Sequence, residues 1–237
     1  GMAKGPIQRF MAQNGKDGDS QFFAAIHEPG DHVVIGRRYS QQGEAQARAI
    51  LSDIATHPAT AKHIATKLAQ HFAADVPAPA LVARLEKSFL ESGGDLPRLY
   101  RTLIDSPEMW LAKQAKFKSP WDWVISSLRA LNVRELPNSR QSVNLLAQLG
   151  QPIWKPGSPA GFSDTTENWA GGAALMRRVE IASRLAERSA NRVDARTLAP
   201  RVLSGQLGAM TTESIARAES PSQGLALMLL SPEFLRR

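Results

Sequence analysis

His57-Pro58-Ala59-Thr60-Ala61-Lys62-His63-Ile64-Ala65-Thr66-Lys67-Leu68-Ala69-Gln70-His71-Phe72 opens with a start signal and then repeats apolar residues at helical spacing. Proline suits the first helical position, where its missing N–H would have no partner anyway. Ala61, Ile64, Ala65, Leu68 and Phe72 form one apolar stripe, so the stretch predicts an amphipathic helix facing a core. His63, Lys67 and His71 fall four apart beside that stripe. The two outer histidines are separated by roughly 12 Å along a helix, too far for one metal to bridge. A solvated polar strip is the favoured reading, with an anion-binding strip as the alternative.

Outward from this helix the chain reads as mainly α. Glu44 to Ala55 predicts a helix on one side, with Ile50, Leu51 and Ile54 inward. On the other side Leu81, Val82, Leu85 and Phe89 predict a helix that Gly93-Gly94 stops. Asp95 caps the next, with Leu96, Leu99, Tyr100, Leu103 and Ile104 inward. Further helices are expected over 121–131, 138–149, 166–190, 194–203, 211–218 and 221–230. The β-prone runs 21–26 and 33–35 flank Glu28-Pro29-Gly30-Asp31 and predict one short hairpin near residues 21–36. The fold expectation is therefore a packed multi-helix domain with that hairpin. Its organisation reads as an irregular lead-in over 1–20, with one turn near Ile7 to Met11. An N-terminal helical subdomain over 21–150 follows, then a Pro/Gly/aromatic loop over 151–165 and a C-terminal helical subdomain over 166–237.

Ser106-Pro107, Ser119-Pro120, Ser220-Pro221 and Ser231-Pro232 each precede a helical pattern. Serine caps the free N–H groups and proline fills the first turn. Two copies continue with Glu108 or Glu233, where the helix dipole favours a carboxylate.

Composition narrows the function classes. The chain has 237 residues, 43% of them hydrophobic and 22% charged, enough for a real core and unlike a disordered segment. No apolar run approaches the length of a membrane span; the longest is Leu225 to Leu230. There are no cysteines, which removes disulfides, thiolate metal sites and cysteine nucleophiles. The net charge of +7 and a pI near 10.0 permit acidic partners. Gly1 before Met2 reads as a cloning remnant, and no signal peptide is visible in this chain.

The order of certain residues resembles a bacterial family of unknown function, the domain-of-unknown-function family numbered 1800. The residues that carry it are Phe23, His27, Gly30 and Gly36, then His57-Pro58-Ala59-Thr60-Ala61 with Lys67 and Leu68. Ser92-Gly93-Gly94-Asp95-Leu96, Ser106-Pro107-Glu108 and Lys118-Ser119-Pro120 follow. Leu149-Gly150-Gln151-Pro152, Gly161 and Ser231-Pro232-Glu233-Phe234 complete the series. Phe162 stands where the family more often has Trp, and His32 and His63 lie outside the pattern. Members are usually longer at the N-terminus, often exported, and tend to be encoded beside another exported family. The resemblance thus implies an envelope or periplasmic location and another exported bacterial protein as partner. It implies no activity and no catalytic residues.

Three functional readings remain. The first is a non-catalytic binding or structural component of the bacterial envelope. Its partner would meet Trp154 and Phe162 in the 150–165 loop, and Arg184 and Arg188 on the basic C-terminal face. The second is a metal-dependent hydrolase centred on His27, Glu28 and His57, with Lys67 nearby. His27, Asp31 and His32 are its candidate metal ligands, because imidazole and carboxylate suit hard and borderline metals. Their spacing matches no standard metal signature, so no cofactor is predicted. The third is a polyanion binder using the stretch 177–201, which holds seven arginines against three acids. Nucleic acid is disfavoured, because aromatics are 6% of the chain and none interleaves with those arginines. The oligomeric state is not legible.

Overall fold

The computed structural model describes residues 22–111, 115–134 and 139–237. The expected lead-in over 1–20, with its turn near Ile7 to Met11, lies outside the described residues. Eleven α-helices and one two-stranded antiparallel hairpin are present among them. No helix is long and apolar enough to cross a membrane among the described residues. The chain divides into two units, Gly1–Ala61 and Lys62–Arg237, each of which is described by itself.

In the first unit, strands β1 (His32–Val34) and β2 (Arg37–Tyr39) pair with His32 opposite Tyr39. A hairpin is present as expected, but its strands differ from the expected ones. Residues 24–26 form a turn of 3-10 helix instead of a strand. The reversal falls at Ile35-Gly36, where both residues have positive φ, rather than at Glu28 to Asp31. Gly36 supplies that conformation at no steric cost, and Val33 to Ile35 thereby pairs forwards instead of backwards. Helix α1 (Glu44–Ala55) follows. Its Gln46 is buried and donates to the carbonyl oxygens of Gly30 and Tyr39, both at 2.9 Å, tying the hairpin to the helix. Helix α2 (Pro58–Phe72) begins within this unit.

From Lys62 onward α2 belongs to the second unit. The residues buried along it are Ala61, Ala65 and Ala69, while Phe72 is exposed. The stripe is rotated from the expected one because alanine permits the closest approach of a packed backbone. Helices α3 (Pro79–Glu91) and α4 (Leu96–Ile104) form a hairpin closed by Gly93 and Gly94 at positive φ. The Gly94 amide donates to Phe89 O at 2.9 Å, and a Cβ at Gly94 would meet the Phe89 ring at 3.3 Å. Asp95 caps α4 by accepting from the Arg98 amide at 2.8 Å. Leu99 and Leu103 of α4 are buried, whereas Leu96, Tyr100 and Ile104 are exposed. The narrow face of a nine-residue helix cannot bury all five.

The main core joins α5 (Pro120–Ala130), α6 (Ser139–Gln148), α8 (Gly172–Ser189), α9 (Ala195–Val202), α10 (Ala209–Ala216) and α11 (Pro221–Leu229). Trp123, Ile181, Leu225, Met228 and Phe234 lie at its centre. Trp123 Nε1 donates to Leu229 O at 2.9 Å, satisfying the one polar atom of a fully buried indole. The expected single helix over 166–190 is two: a turn, α7 (Thr166–Trp169), and then α8. Gly171 is extended and caps α8 from outside, because two successive glycines make helix continuation costly.

Two of the four Ser-Pro devices cap helices as expected: Ser119 and Ser220 accept from the amides of Asp122 and Gln223. Ser231 accepts from the Phe234 amide in the same way, but residues 232–235 form a turn and not a helix. Ser106 is diverted: it accepts from Arg84 and donates to Thr102 O, and the segment after it is 3-10 helix.

Candidate anion-binding groove

The short run Lys116-Phe117-Lys118 carries the electrostatics of the second unit. It pairs antiparallel with residues 235–237 through a bridge between Phe117 and Arg236. The Lys118 amide donates to Leu235 O, and the Arg237 amide to Lys116 O, both at 2.8 Å. Extended geometry sends alternate side chains to opposite faces. Phe117 enters the core, while Lys116 and Lys118 are carried into different charged environments.

Lys116 is 1% exposed, and it is paired. Its ammonium lies 2.7 Å from Asp75 Oδ1 and 3.7 Å from Asp164 Oδ1, and it also donates to Asp164 O. Burial alone would raise the Asp75 carboxyl; donors from Lys116 and Thr166 outweigh it and hold that carboxyl below the usual range. His71 Nδ1 lies 2.7 Å from Asp164 Oδ2. This half of the system is neutralised.

The other half is not. Lys118 is half-buried, with its ammonium 4.2 Å over the Phe234 ring and no hydrogen-bond acceptor among the described residues. Arg178 is 1% exposed; Nη2 donates to Lys118 O at 2.7 Å, but Nη1 is buried without a partner. Its guanidinium lies 4.6 Å from the Phe117 ring centroid and 5.4 Å from that of Trp123. Arg237 meets Asp122 at 3.3 Å and His71 O at 3.3 Å, while its Nε is buried and unpartnered. Arg237 also reaches Asp164 Oδ1 at 4.0 Å, so three cations have Asp122 and the far edge of Asp164 as their carboxylates. Burial pushes Lys118 down to about 8; the charges of Arg178 and Arg237 add to this, and Asp122 opposes it. Burial likewise pushes Arg178 down to about 10 against the pull of Asp122.

Lys118, Asp122 and Arg237 open onto a groove of about 590 Å³, whose rim adds Arg129, Arg236 and Trp121. Glu233 also lines it, but both its oxygens are engaged. They accept from the Gly208 amide at 2.9 Å and from the Thr211 hydroxyl at 2.8 Å, at the start of α10. Burial would raise the Glu233 carboxyl, but these donors and its own amide lower it. Buried polar atoms in folded proteins are almost always paired, so two unpaired guanidinium nitrogens beside an unpaired ammonium mark a place suited to an anion.

The residues singled out from sequence lie elsewhere. His27 packs at a tilt on the Phe22 ring, 5.1 Å between centroids, and meets the His32 ring edge-on at 6.1 Å. His32 Nε2 bonds Glu28 O at 3.1 Å, Glu28 itself is exposed, and Asp31 pairs with Arg38 at 3.4 Å. His57 Nδ1 accepts from the Ala59 amide at 3.1 Å, so it serves as a helix cap. No hydrogen bond or ring contact joins His27 to His57. Among the described residues no three histidine or acidic side chains are grouped to hold a metal. Lys67 is exposed and unpaired among the described residues. Phe162 packs at 6.1 Å on Trp169, while Trp154 is 95% exposed with φ of 56°. Arg184 Nη2 donates to Gln148 Oε1 at 3.2 Å, and Arg188 is exposed beside it.

Sequence reasoning passed over Asp75, Lys116, Asp122, Arg178 and Arg237. One signal was available: Arg178 stands in register with Ile181, Ala182, Leu185, Ala186 and Ser189, the buried face of α8. A charged residue on such a face is a candidate for special duty.

Residues 5–236 match a family described as "Protein of unknown function (DUF1800)". No curated protein and no solved structure matches the chain.

Proposed function

The chain belongs to the family described as "Protein of unknown function (DUF1800)", and on that premise we propose that it is a non-catalytic binding component of the bacterial envelope that takes an anionic ligand in the Lys118–Arg237 groove. The observation that carries this is the gathering of Lys118, Arg178 and Arg237 beside Asp122, with Asp164 only at 4.0 Å from Arg237 and with Arg178 Nη1 and Arg237 Nε left without acceptors among the described residues. An anion entering the groove supplies the missing charge and reaches Lys118 and Arg237 directly. Arg178 stands behind Lys118 and contributes field rather than contact. The groove offers cations, an indole and two acids, Asp122 and Glu233, both of which are already engaged. This supports binding over hydrolysis. His27 and His57 have other engagements and Glu28 is exposed apart from them, which gives the hydrolase reading less support. The 150–165 loop, with its exposed Trp154, is the remaining candidate for contact with a partner protein.

The test is thermal unfolding in sulfate against chloride at matched ionic strength, near pH 7. A rise in melting temperature specific to sulfate, abolished by Lys118→Gln, is expected, since a ligand bound only by the folded state stabilises it. Equal melting in both salts, with no heat of sulfate binding by calorimetry, would overturn the proposal.

A further inference from the structure

The charged groove does not end at Arg237. A second open groove of about 580 Å³ is lined by Phe72, Val76, Met109, Trp110 and Leu111, and it shares Arg237 and Gln206 with the first. Its character is different. Val76 is 89% exposed, Trp110 72% and Leu111 70%. The one acid lining it, Glu108, is held by a two-pronged pair with Arg84 at 2.9 and 3.2 Å. Large apolar side chains gathered in a concave exposed surface mark a binding site more often than a neutral exterior.

Resting on the anion reading above, we propose that the ligand is a single-chain anionic amphiphile, such as an alkyl phosphate or a long-chain carboxylate. Its head sits between Lys118 and Arg237, and its chain lies in the Val76–Trp110–Leu111 groove. Two features commit the apolar groove to this occupant. It adjoins the cationic groove, with Arg237 and Gln206 lining both, so a molecule that passes Arg237 reaches both. The charge at the junction is positive, which suits an anionic head and penalises a cationic one. Each groove falls within the size range of small-molecule sites. Head and chain would contribute separately: charge-assisted hydrogen bonds fix the head, and transfer of methylenes from water rewards the chain.

The experiment is calorimetric titration of the full chain with inorganic phosphate, then butyl, hexyl and octyl phosphate as monomers, and octyl glucoside as an uncharged control. Burying each added methylene strengthens binding about two- to fourfold. Octyl phosphate should therefore bind at least tenfold tighter than butyl phosphate, and octyl glucoside should not bind measurably. Val76→Asp and Leu111→Asp, both on the exposed surface, should flatten the chain-length series, with an unchanged melting temperature reporting an intact fold. Phosphate binding with a flat series in the parent protein would overturn the amphiphile and leave the anion site standing. A series that survives both substitutions would also overturn it. Absence of binding by phosphate and by every alkyl phosphate would overturn both readings together.

Discussion

The Arg178 guanidinium donates to the carbonyl oxygen of Lys118 at 2.7 Å, so the more deeply buried of two cations holds the backbone of the other. That bond fixes Lys118 against Phe234 and places two like charges in one low-dielectric region. Replacing a buried charge that lacks a full partner by an apolar side chain of similar volume is often neutral or stabilising. Arg178→Met should therefore melt within about 3 °C of the parent protein, or above it. It should at the same time lose most of its sulfate-induced stabilisation. A deep loss of stability, on the order of 4 kcal/mol, measured by denaturant titration, would show that Arg178 is there for the fold alone.

Lys118 makes stability depend on alkaline pH. Its ordinary value of 10.5 falls to about 8 in the folded chain. Between those values the unfolded chain binds more protons than the folded one, so stability rises with pH from about 8 and levels off near 10.5. Lys118→Met should flatten that rise. Sulfate keeps its charge over this range, so its affinity should fall as pH passes about 8, by at most tenfold per unit. Calorimetry across that window checks both statements.

Asp75→Asn tests the neutralised half of the system. It leaves Lys116, 1% exposed, with Asp164 as its remaining carboxylate. The expected cost is about 2 to 4 kcal/mol. Adding Lys116→Met to Asp75→Asn should recover part of that loss in a double-mutant cycle. Strict additivity would contradict the pairing.

Glu233, in the C-terminal turn, caps α10. Its carboxyl is lowered in the folded chain, so its contribution is present above the ordinary range and is lost as pH falls through the folded value. Glu233→Gln should cost about 1 kcal/mol at neutral pH and reduce the acid sensitivity of unfolding. Gly208→Ala should have a similar effect by a different route, since its Cβ would lie 2.6 Å from Glu233 Oε1.

A chelator should leave the melting temperature unchanged. His57→Ala should cost no more than a helix cap, about 0.5 to 2 kcal/mol, because Nδ1 of His57 accepts from the Ala59 amide. A chelator-induced drop that His27→Ala removes would restore the metal reading.

Fold and site differ in how far the sequence reveals them. The helices announced themselves through local chemistry: Pro58, Asp95, and the Ser-Pro pairs at 119 and 220 act within one turn of where they stand. The helical face that is buried was harder, as Phe72, Tyr100 and Ile104 show, because burial depends on which neighbour arrives. The hairpin moved for a related reason, since Ile35-Gly36 competes with Pro29-Gly30 as a turn and strand pairing decides between them. The groove was almost invisible. Its charged lining joins Lys118, Asp122 and Arg129 to Glu233, Arg236 and Arg237, more than a hundred residues apart, and no local spacing brings the two sets together. The histidines drew attention by proximity in sequence, and proximity in sequence here reflects turns and caps.

The bridge between Phe117 and Arg236 also sets a clock. At a ribosome's pace of roughly 5 to 20 residues per second, Lys116 emerges roughly ten seconds before its strand partner is made. Until residues 235–237 arrive, Lys118 lacks its Phe234 cover, and the cationic groove has only one wall. A nascent chain stalled inside α11 would lack that wall and be blind to the ligand, so ligand capture would report that residues 235–237 have been made and have docked.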